Sequence, residues 1–345
     1  MAVAGRVCPL DYALGPDTFN QSVAQADVLY VAGGLYGNPF ALTAIEELVA
    51  AESGTGSESG DRVLLALNGD FHWFDTGADW FADIHSRTVR HLLTRGNIET
   101  ELSRGGDTEA GCGCAYPDSV SDVDVGRSNS IMRDLGKTAR EQLSPIQLQE
   151  IGRLPAALAV DVGLSRIGIT HGDDFSLAGW SFAHDQLQQT WARGLAERMQ
   201  ARGVDIFASS HTCLPVADSI DTGNKTVAII NNGSAGMANF SGSRFGLVSR
   251  FAHRDAANAP VPALYEACIG DVIVSAIPVH FAIAPWLALF ESHWPDNSAA
   301  SQSYRDRIVN GPAYSIEQAA RGRFRASRIG ASTKPMVRLP EATNE

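Results

Sequence analysis

Four polar residues each stand directly after a short apolar, strand-forming run: Asp70 after Leu64–Leu67, Asn97 after Leu92-Leu93, His171 after Ile167–Ile169 and His211 after Ile206-Phe207. A carboxylate, an amide oxygen and two imidazoles are donors of borderline character, suited together to a divalent ion such as Mn, Fe or Zn. In open α/β sheets the carboxyl ends of the strands face one crevice, so four side chains far apart in the chain can meet there. Taken singly, the same residues have plainer readings. Asp70 and Asn97 read as turn or helix-capping residues, and His171 and His211 as hydrogen-bonded core histidines. His85, His91, His184, His253 and His293 follow no such pattern and read as packing or surface residues.

The elements that must position these residues follow from the spacing of apolar side chains. Val28–Val31 reads as a strand, followed by glycines and a helical pattern from Pro39 to Ala51. The same grammar repeats from Arg62 to Asp70, with a helix from about Ala78 and a short strand at Leu92–Thr94. Ser53 to Gly60 reads as a surface loop, and Arg104 to Asp124 as a glycine-rich, cysteine-bearing, acidic insertion leading into two polar helices. Strands are then expected at Ala157–Val162, Ser165–Thr170, Val204–Ala208, Thr226–Ile230, Phe245–Phe251 and Asp271–Ile277, with one amphipathic helix from Ala183 to Ala201. Early β-α-β units followed by a succession of strands predict an α/β sandwich of two mixed sheets flanked by helices.

Composition narrows the classes of partner. With 44% hydrophobic and 19% charged residues over 345 positions the chain can bury a large core. A net charge of -12 and the lack of a basic run argue against nucleic acid and anionic membrane as partners. Val272 to Phe290 is nearly long enough to span a bilayer, but Pro278, His280 and Pro285 interrupt it, so it reads as a buried strand and a helix. No signal-peptide pattern opens the chain, and five cysteines at irregular spacing suit reduced thiols, so a cytoplasmic location is expected. Oligomeric state is not legible.

Five segments, in order, resemble the motifs of the calcineurin-like metallophosphoesterase superfamily. Gly34-Leu35-Tyr36-Gly37-Asn38 is similar to Asp-x-His-Gly-Asn, Gly69-Asp70-Phe71-His72-Trp73 to Gly-Asp-x-x-Asp, and Gly96-Asn97-Ile98-Glu99 to Gly-Asn-His-Glu. His171-Gly172 matches the later His-Gly, and Ser210-His211-Thr212-Cys213 resembles Gly-His-x-His. Asn231 to Gly236 resembles the Asn-Pro-Gly-Ser-x-Gly segment of the compact bacterial branch, where the histidine replaced by Ile98 is often missing. A single piece is weak; five in order are specific.

The resemblance implies that Asp70, Asn97, His171 and His211 hold one metal ion, all four being present. The ligands it implies for a second ion fall on Gly34, Tyr36, Asp70 and Cys213, of which Asp70 alone is kept. One tight site and a doubtful second one are therefore expected. Tyr36 as a phenolate and Cys213 as a thiolate stay open as replacement ligands. Asn38 and His72 are candidates for phosphate contact, His72 also as a further imidazole or a substitute for the histidine missing at Ile98. Cys112 and Cys114, on the insertion, are candidates to approach the crevice beside Cys213. Asp118, Asp122 and Asp124 read as a solvated acidic face. The implied activity is hydrolysis of small-molecule phosphoric mono- or diesters by a metal-bound hydroxide. The alternatives are a non-hydrolytic metal- or ligand-binding protein on the same fold, or redox or sulfur chemistry at a metal–thiolate site. The expected layout is an N-terminal segment at 1–25, the main domain at 26–280 with an inserted cap at about 104–154, and a helical C-terminal extension at 281–345.

Overall fold

The computed structural model describes residues 3–54, 62–256 and 258–327. Most of the surface loop expected at Ser53–Gly60 and the end of the expected C-terminal extension lie outside the described residues. In chain order, strands β1 (Ala24–Ala26) and β2 (Val28–Ala32) lead into helix α1 (Pro39–Gly54), β3 (Val63–Asn68) into α2 (Ala78–Thr88), and β4 (Leu92–Thr94) into α3 (Asn97–Ser103). Helices α4 (Asp122–Gln142) and α5 (Pro145–Gly152) precede strands β5 (Ala157–Val162) and β6 (Ser165–Thr170). Short helices α6 (Leu187–Ala192) and α7 (Leu195–Ala201) precede β7 (Ile206–Ser209), β8 (Val216–Asp221), β9 (Thr226–Asn231), β10 (Gly246–His253), β11 (Tyr265–Ile269) and β12 (Val272–Val279). Helices α8 (Ile283–His293), α9 (Ala299–Asn310) and α10 (Ile316–Ala319) and strand β13 (Arg325–Ala326) follow.

The strands form two mixed sheets, ordered β1-β5-β6-β7-β9-β8 and β13-β11-β12-β10-β2-β3-β4. Alternation along each strand decides which face meets which layer. In β2, Leu29 and Val31 point into the core between the sheets, where they meet Ile167, Ile169, Ile206, Ile230 and Phe251. Val28, Tyr30 and Ala32 point the other way, toward a core shared with Leu42, Phe81, Ile131, Trp286 and Phe290 of the covering helices. The smaller sheet is covered by α6 and α7 through Leu187, Leu195 and Met199 against Phe207 and Ile229. The architecture of two mixed sheets flanked by helices is thus the expected one.

Several local readings are corrected. The single helix expected from Ala183 to Ala201 is two, broken at Gly194, whose φ of +79° a continuing helix does not allow. Helix α4 begins earlier than expected, with Ser121 accepting the Asp124 N–H at its N-terminus and Asp122 and Asp124 in its first turn; these acids complement the helix dipole. The strands β1, β8, β11 and β13 were not legible. β1 brings residues of the first segment into the smaller sheet beside β5, and β13 joins residues of the C-terminal segment to β11. Val272 to Phe290 contains a strand and most of a helix, as expected, and no described helix is long and apolar enough to cross a membrane.

One buried ion pair fastens α1 to the larger sheet. Arg250 of β10 and Glu52 of α1 are almost fully buried, the guanidinium Nε lies 3.0 Å from Glu52 Oε2, and the Tyr30 hydroxyl donates to the same oxygen. Removing one member strands a charge away from water, at a cost of about 3–5 kcal/mol. Arg250→Leu is therefore expected to lower the urea midpoint by that amount of stability, with the slope of the transition unchanged. A loss under 1 kcal/mol would show that the pair is solvated on opening.

Candidate metal centre

Parallel pairing of β2, β3 and β4 in one sheet, and of β6 and β7 in the other, brings the carboxyl ends of these strands to one edge of the sandwich. The turn after β3 is Gly69-Asp70. Gly69 has φ +93°, and a Cβ there would lie 2.6 Å from the backbone of Gly96 and 2.7 Å from His171 Nδ1, so glycine alone lets these turns touch. Among the described residues, the non-glycine positions with left-handed backbone are Tyr36, Asp70, Cys213 and Ala115. The first three lie on this edge and the fourth follows Cys114. Such backbone costs on the order of 1–3 kcal/mol per residue and persists only where the surroundings impose it.

Glu99, in the first turn of α3, does much of that imposing. It is fully buried; Oε2 accepts the N–H groups of Asp70 and Gly96, each at 2.8 Å, and Oε1 that of Phe71 at 3.0 Å. One carboxylate thereby ties the turn carrying Asp70 to the turn carrying Asn97. Burial, and next the charge of Asp70, push its pKa up, while His72 and the backbone donors oppose the shift.

Asp70, Asn97, His171 and His211 do come together, all buried. His171 Nε2 lies 3.3 Å from Asp70 Oδ2, 3.0 Å from Asn97 Oδ1 and 3.1 Å from His211 Nδ1. The remaining ring nitrogens are fixed by carbonyl oxygens, which only accept: His171 Nδ1 donates to Asn68 O at 2.9 Å and His211 Nε2 to Cys114 O at 3.0 Å. The inward-facing nitrogens are therefore the basic ones. A carboxylate oxygen, an amide oxygen and two imine lone pairs converging on one point call for positive charge, from a proton or a cation. The histidines reflect this. Burial pulls the His171 pKa down, but the charge of Asp70 and hydrogen bonds to it and Asn68 outweigh burial and raise it. Burial, then the charge of His171, lowers that of His211 to about 3.

The donor set fits a divalent ion. With bonds of about 2.1 Å, neighbouring ligand atoms of a four- or six-coordinate ion lie about 3.0–3.4 Å apart. The separations from His171 Nε2 span 3.0–3.3 Å, and one ligand atom each from Asp70, His171 and His211 lies within 4.8 Å of the others.

The insertion reaches this edge. Asn97 Nδ2 donates to Cys112 O at 2.9 Å, leaving Oδ1 toward His171, and the Cys114 carbonyl also receives the Trp180 indole N–H at 3.0 Å. Cys112 and Cys114 are joined in a disulfide, which corrects the expectation of reduced thiols throughout. Gly113 between them, with φ +67°, turns the chain so that the two sulfurs meet. Cys8, Cys213 and Cys268 are the free cysteines among the described residues.

Tyr36 and Cys213 pair with each other, the hydroxyl lying 3.0 Å from Sγ. The Tyr36 ring occupies the space beside Gly34, where a Cβ would lie 3.0 Å from Cε2 and 3.1 Å from Cζ. Burial, the largest cause for each, pushes the pKa of both the phenol and the thiol up.

Asn38 and His72 do not face the quartet's cavity. Asn38 caps α1, its Oδ1 accepting the N–H groups of Phe40 and Ala41 while Nδ2 donates to Gly236 O. His72 is buried against Phe81, the rings stacked 4.1 Å apart, with Nδ1 on Asp75. Neither lines the cavity of about 30 Å³ over the quartet, which is bounded by Tyr36, Asp70, Asn97, His211 and Cys213 and closed by Trp73, Tyr116, Trp180 and Tyr304. Those four aromatic residues were missed in the sequence, since only packing brings them together. Glu99 had a signal: it is the last residue of the Gly-Asn-His-Glu pattern.

No family model matches the sequence, and no curated protein matches it. Among solved structures the chain is similar to a hypothetical protein from Pyrococcus horikoshii OT3, at 12% identity over 83% of this chain and 99% of the other, with a TM-score of 0.54. That likeness establishes the fold. A metallophosphoesterase from Sphaerobacter thermophilus is similar at 15% identity over 83% of this chain and 100% of its own, with a TM-score of 0.48.

Two outcomes follow from this geometry. Glu99→Ala leaves buried N–H groups of both turns without an acceptor and is expected to cost roughly 2–4 kcal/mol in denaturant unfolding, more than Glu99→Gln, which keeps one acceptor oxygen. Gly34→Asp alone places a side chain against the Tyr36 ring at a left-handed position and is expected to destabilise by about 1–3 kcal/mol. Adding Tyr36→His removes the ring from that space and is expected to recover part of the loss. A neutral single substitution in thermal melts would show that the ring moves freely.

Proposed function

We propose that this chain is a metal-dependent hydrolase of phosphoric mono- or diesters, of the calcineurin-like metallophosphoesterase type, with Asp70, Asn97, His171 and His211 as ligands of one divalent ion. The observation that carries the reading is the pair of basic nitrogens, His171 Nε2 and His211 Nδ1, facing each other at 3.1 Å beside Asp70 and Asn97. The convergence calls for positive charge, which a divalent ion supplies to all four donors at once and a proton on His171 supplies to fewer. Mn, Fe and Zn are all compatible with such donors. When bound, the ion supplies Lewis-acid polarisation of a phosphoryl oxygen and acidifies water.

The chain's own residues supply orientation and a dry surround. Asn68, Cys112 and Cys114 carbonyls hold His171, Asn97 and His211 in the tautomer or rotamer that turns a basic atom inward. The Tyr36 hydroxyl and Cys213 thiol line the same cavity hydrogen-bonded to each other, so the pair has at most one proton to give a phosphoryl oxygen. The rival reading, a binding protein without turnover, draws support from the Tyr36 ring beside Gly34. A metal–thiolate centre at Cys213 would need the ion to displace a thiol proton that burial holds in place.

The test is reconstitution with Mn followed by assay on activated aryl phosphate mono- and diesters. About one tightly held ion per chain is expected, and Asp70→Ala and His211→Ala are each expected to lower kcat/KM at least ~10³-fold. Well-folded protein holding one ion but inert across an ester panel would transfer the reading to the binding protein. Two tight ions would make Tyr36 or Cys213 a ligand.

A further inference from the structure

The cavity of about 30 Å³ over the quartet holds an ion and a water, and a phosphoester is larger than that. The substrate must therefore lie partly outside it. A groove of about 410 Å³ adjoins the cavity, and Trp180 lines both. Thr212, next in sequence to His211, also lines the groove. A larger apolar groove around Phe240 and Pro278, about 480 Å³, shares no lining residue with the cavity.

Trp180 is held lightly for a residue in that position. It belongs to the segment between β6 and α6, is partly exposed, and donates one hydrogen bond, to Cys114 O. Its ring meets His211 edge-on at 5.2 Å and Tyr116 at 5.9 Å. Trp180 is the lining residue the two spaces share, held there by one hydrogen bond and two ring contacts.

The groove's chemistry is polar. Ser181, His184, Gln186 and Thr212 offer hydroxyl, imidazole and amide groups, and the exposed Arg193 and Asp185 on its rim carry opposite charges. The volume is that of a small-molecule site. Donors and acceptors in number, little net charge and an aromatic face at the inner end match a hydroxyl-rich, uncharged group. An alkyl chain would meet Pro117, Val120 and Leu214 of the same lining but leave its polar groups unpaired.

We propose that this groove binds the alcohol portion of the phosphoester, that this alcohol is a neutral polyhydroxylated one of sugar or nucleoside size, and that Trp180 is the gate between groove and metal centre. The inference rests on the hydrolase reading above. The probes are ribose phosphate, adenosine monophosphate and hexyl phosphate, titrated by calorimetry into the Mn-loaded chain and offered as substrates. Ribose phosphate or adenosine monophosphate is expected to bind at least about 10-fold more tightly than hexyl phosphate, and Gln186→Ala combined with Arg193→Ala to erase that preference. A preference for the adenosine ester over the ribose ester assigns the nucleoside; the reverse or equality assigns the sugar. Trp180→Ala is expected to raise the association rate of both, and Trp180→Phe, which keeps a ring, to restore most of the barrier. Equal affinity for all three phosphates, or a preference that survives the double substitution, overturns the groove, whatever the turnover. An unchanged association rate in Trp180→Ala overturns the gate. Preference without turnover of any ester leaves the groove standing and sinks the hydrolase reading. No binding of any phosphate sinks both.

Discussion

The site depends on a single carboxylate that does not line its cavity. Glu99 gathers backbone N–H groups from the turns after β3 and β4, and so fixes Asp70 and Asn97 relative to each other. Parallel pairing brings the strand ends to one edge, but pairing alone leaves the turns beyond them free to splay. A buried acceptor shared by both turns removes that freedom and holds Asp70 in a backbone conformation it would otherwise leave. The cost is a charge kept out of water. It is offset by donors that would themselves be unsatisfied without it.

The two sheets contribute unequally to the centre. The larger sheet brings the oxygen donors, Asp70 and Asn97, and the smaller sheet the nitrogen donors, His171 and His211. The core between the sheets therefore sets the distance across which the oxygen and nitrogen donors face each other. The buried Leu29, Val31, Ile167 and Ile206 are as much a part of the site's geometry as the four donors. The neighbouring position is reorganised differently: the Tyr36 ring fills space beside a glycine, and its hydroxyl is paired with Cys213. Two neutral groups stand where the family resemblance implies ligands.

What the sequence disclosed followed from regularity. Short apolar runs made β2, β3 and β6 legible as strands buried on both faces, and a polar residue just beyond such runs pointed to a shared edge for Asp70, His171 and His211. Asn38 and His72 lie away from the cavity because a motif fixes position along the chain and not the direction of a side chain. Asn38 is spent on the amides of a helix start and His72 on Asp75 and the Phe81 ring. The aromatic closure by Tyr116, Trp180 and Tyr304 has no local signature, since these residues come from three distant segments and only tertiary packing unites them. Short strands such as β1 and β13 are defined by their partners and not by their own pattern.

The atoms that steer the converging side chains from behind are main-chain oxygens: Asn68 O for His171, Cys112 O for Asn97 and Cys114 O for His211. Every residue type carries that oxygen. Sequence drift at these positions therefore leaves the steering groups in place as long as the path of the chain is kept, whereas gain or loss of a single residue in the loop shifts two of them together. Such a centre tolerates replacement at the steering positions themselves and is vulnerable to changes of length, while Gly111 and Gly113, where a Cβ would lie 2.2 Å from Asn129 Oδ1 and from the Tyr12 hydroxyl, hold the path on which the steering depends.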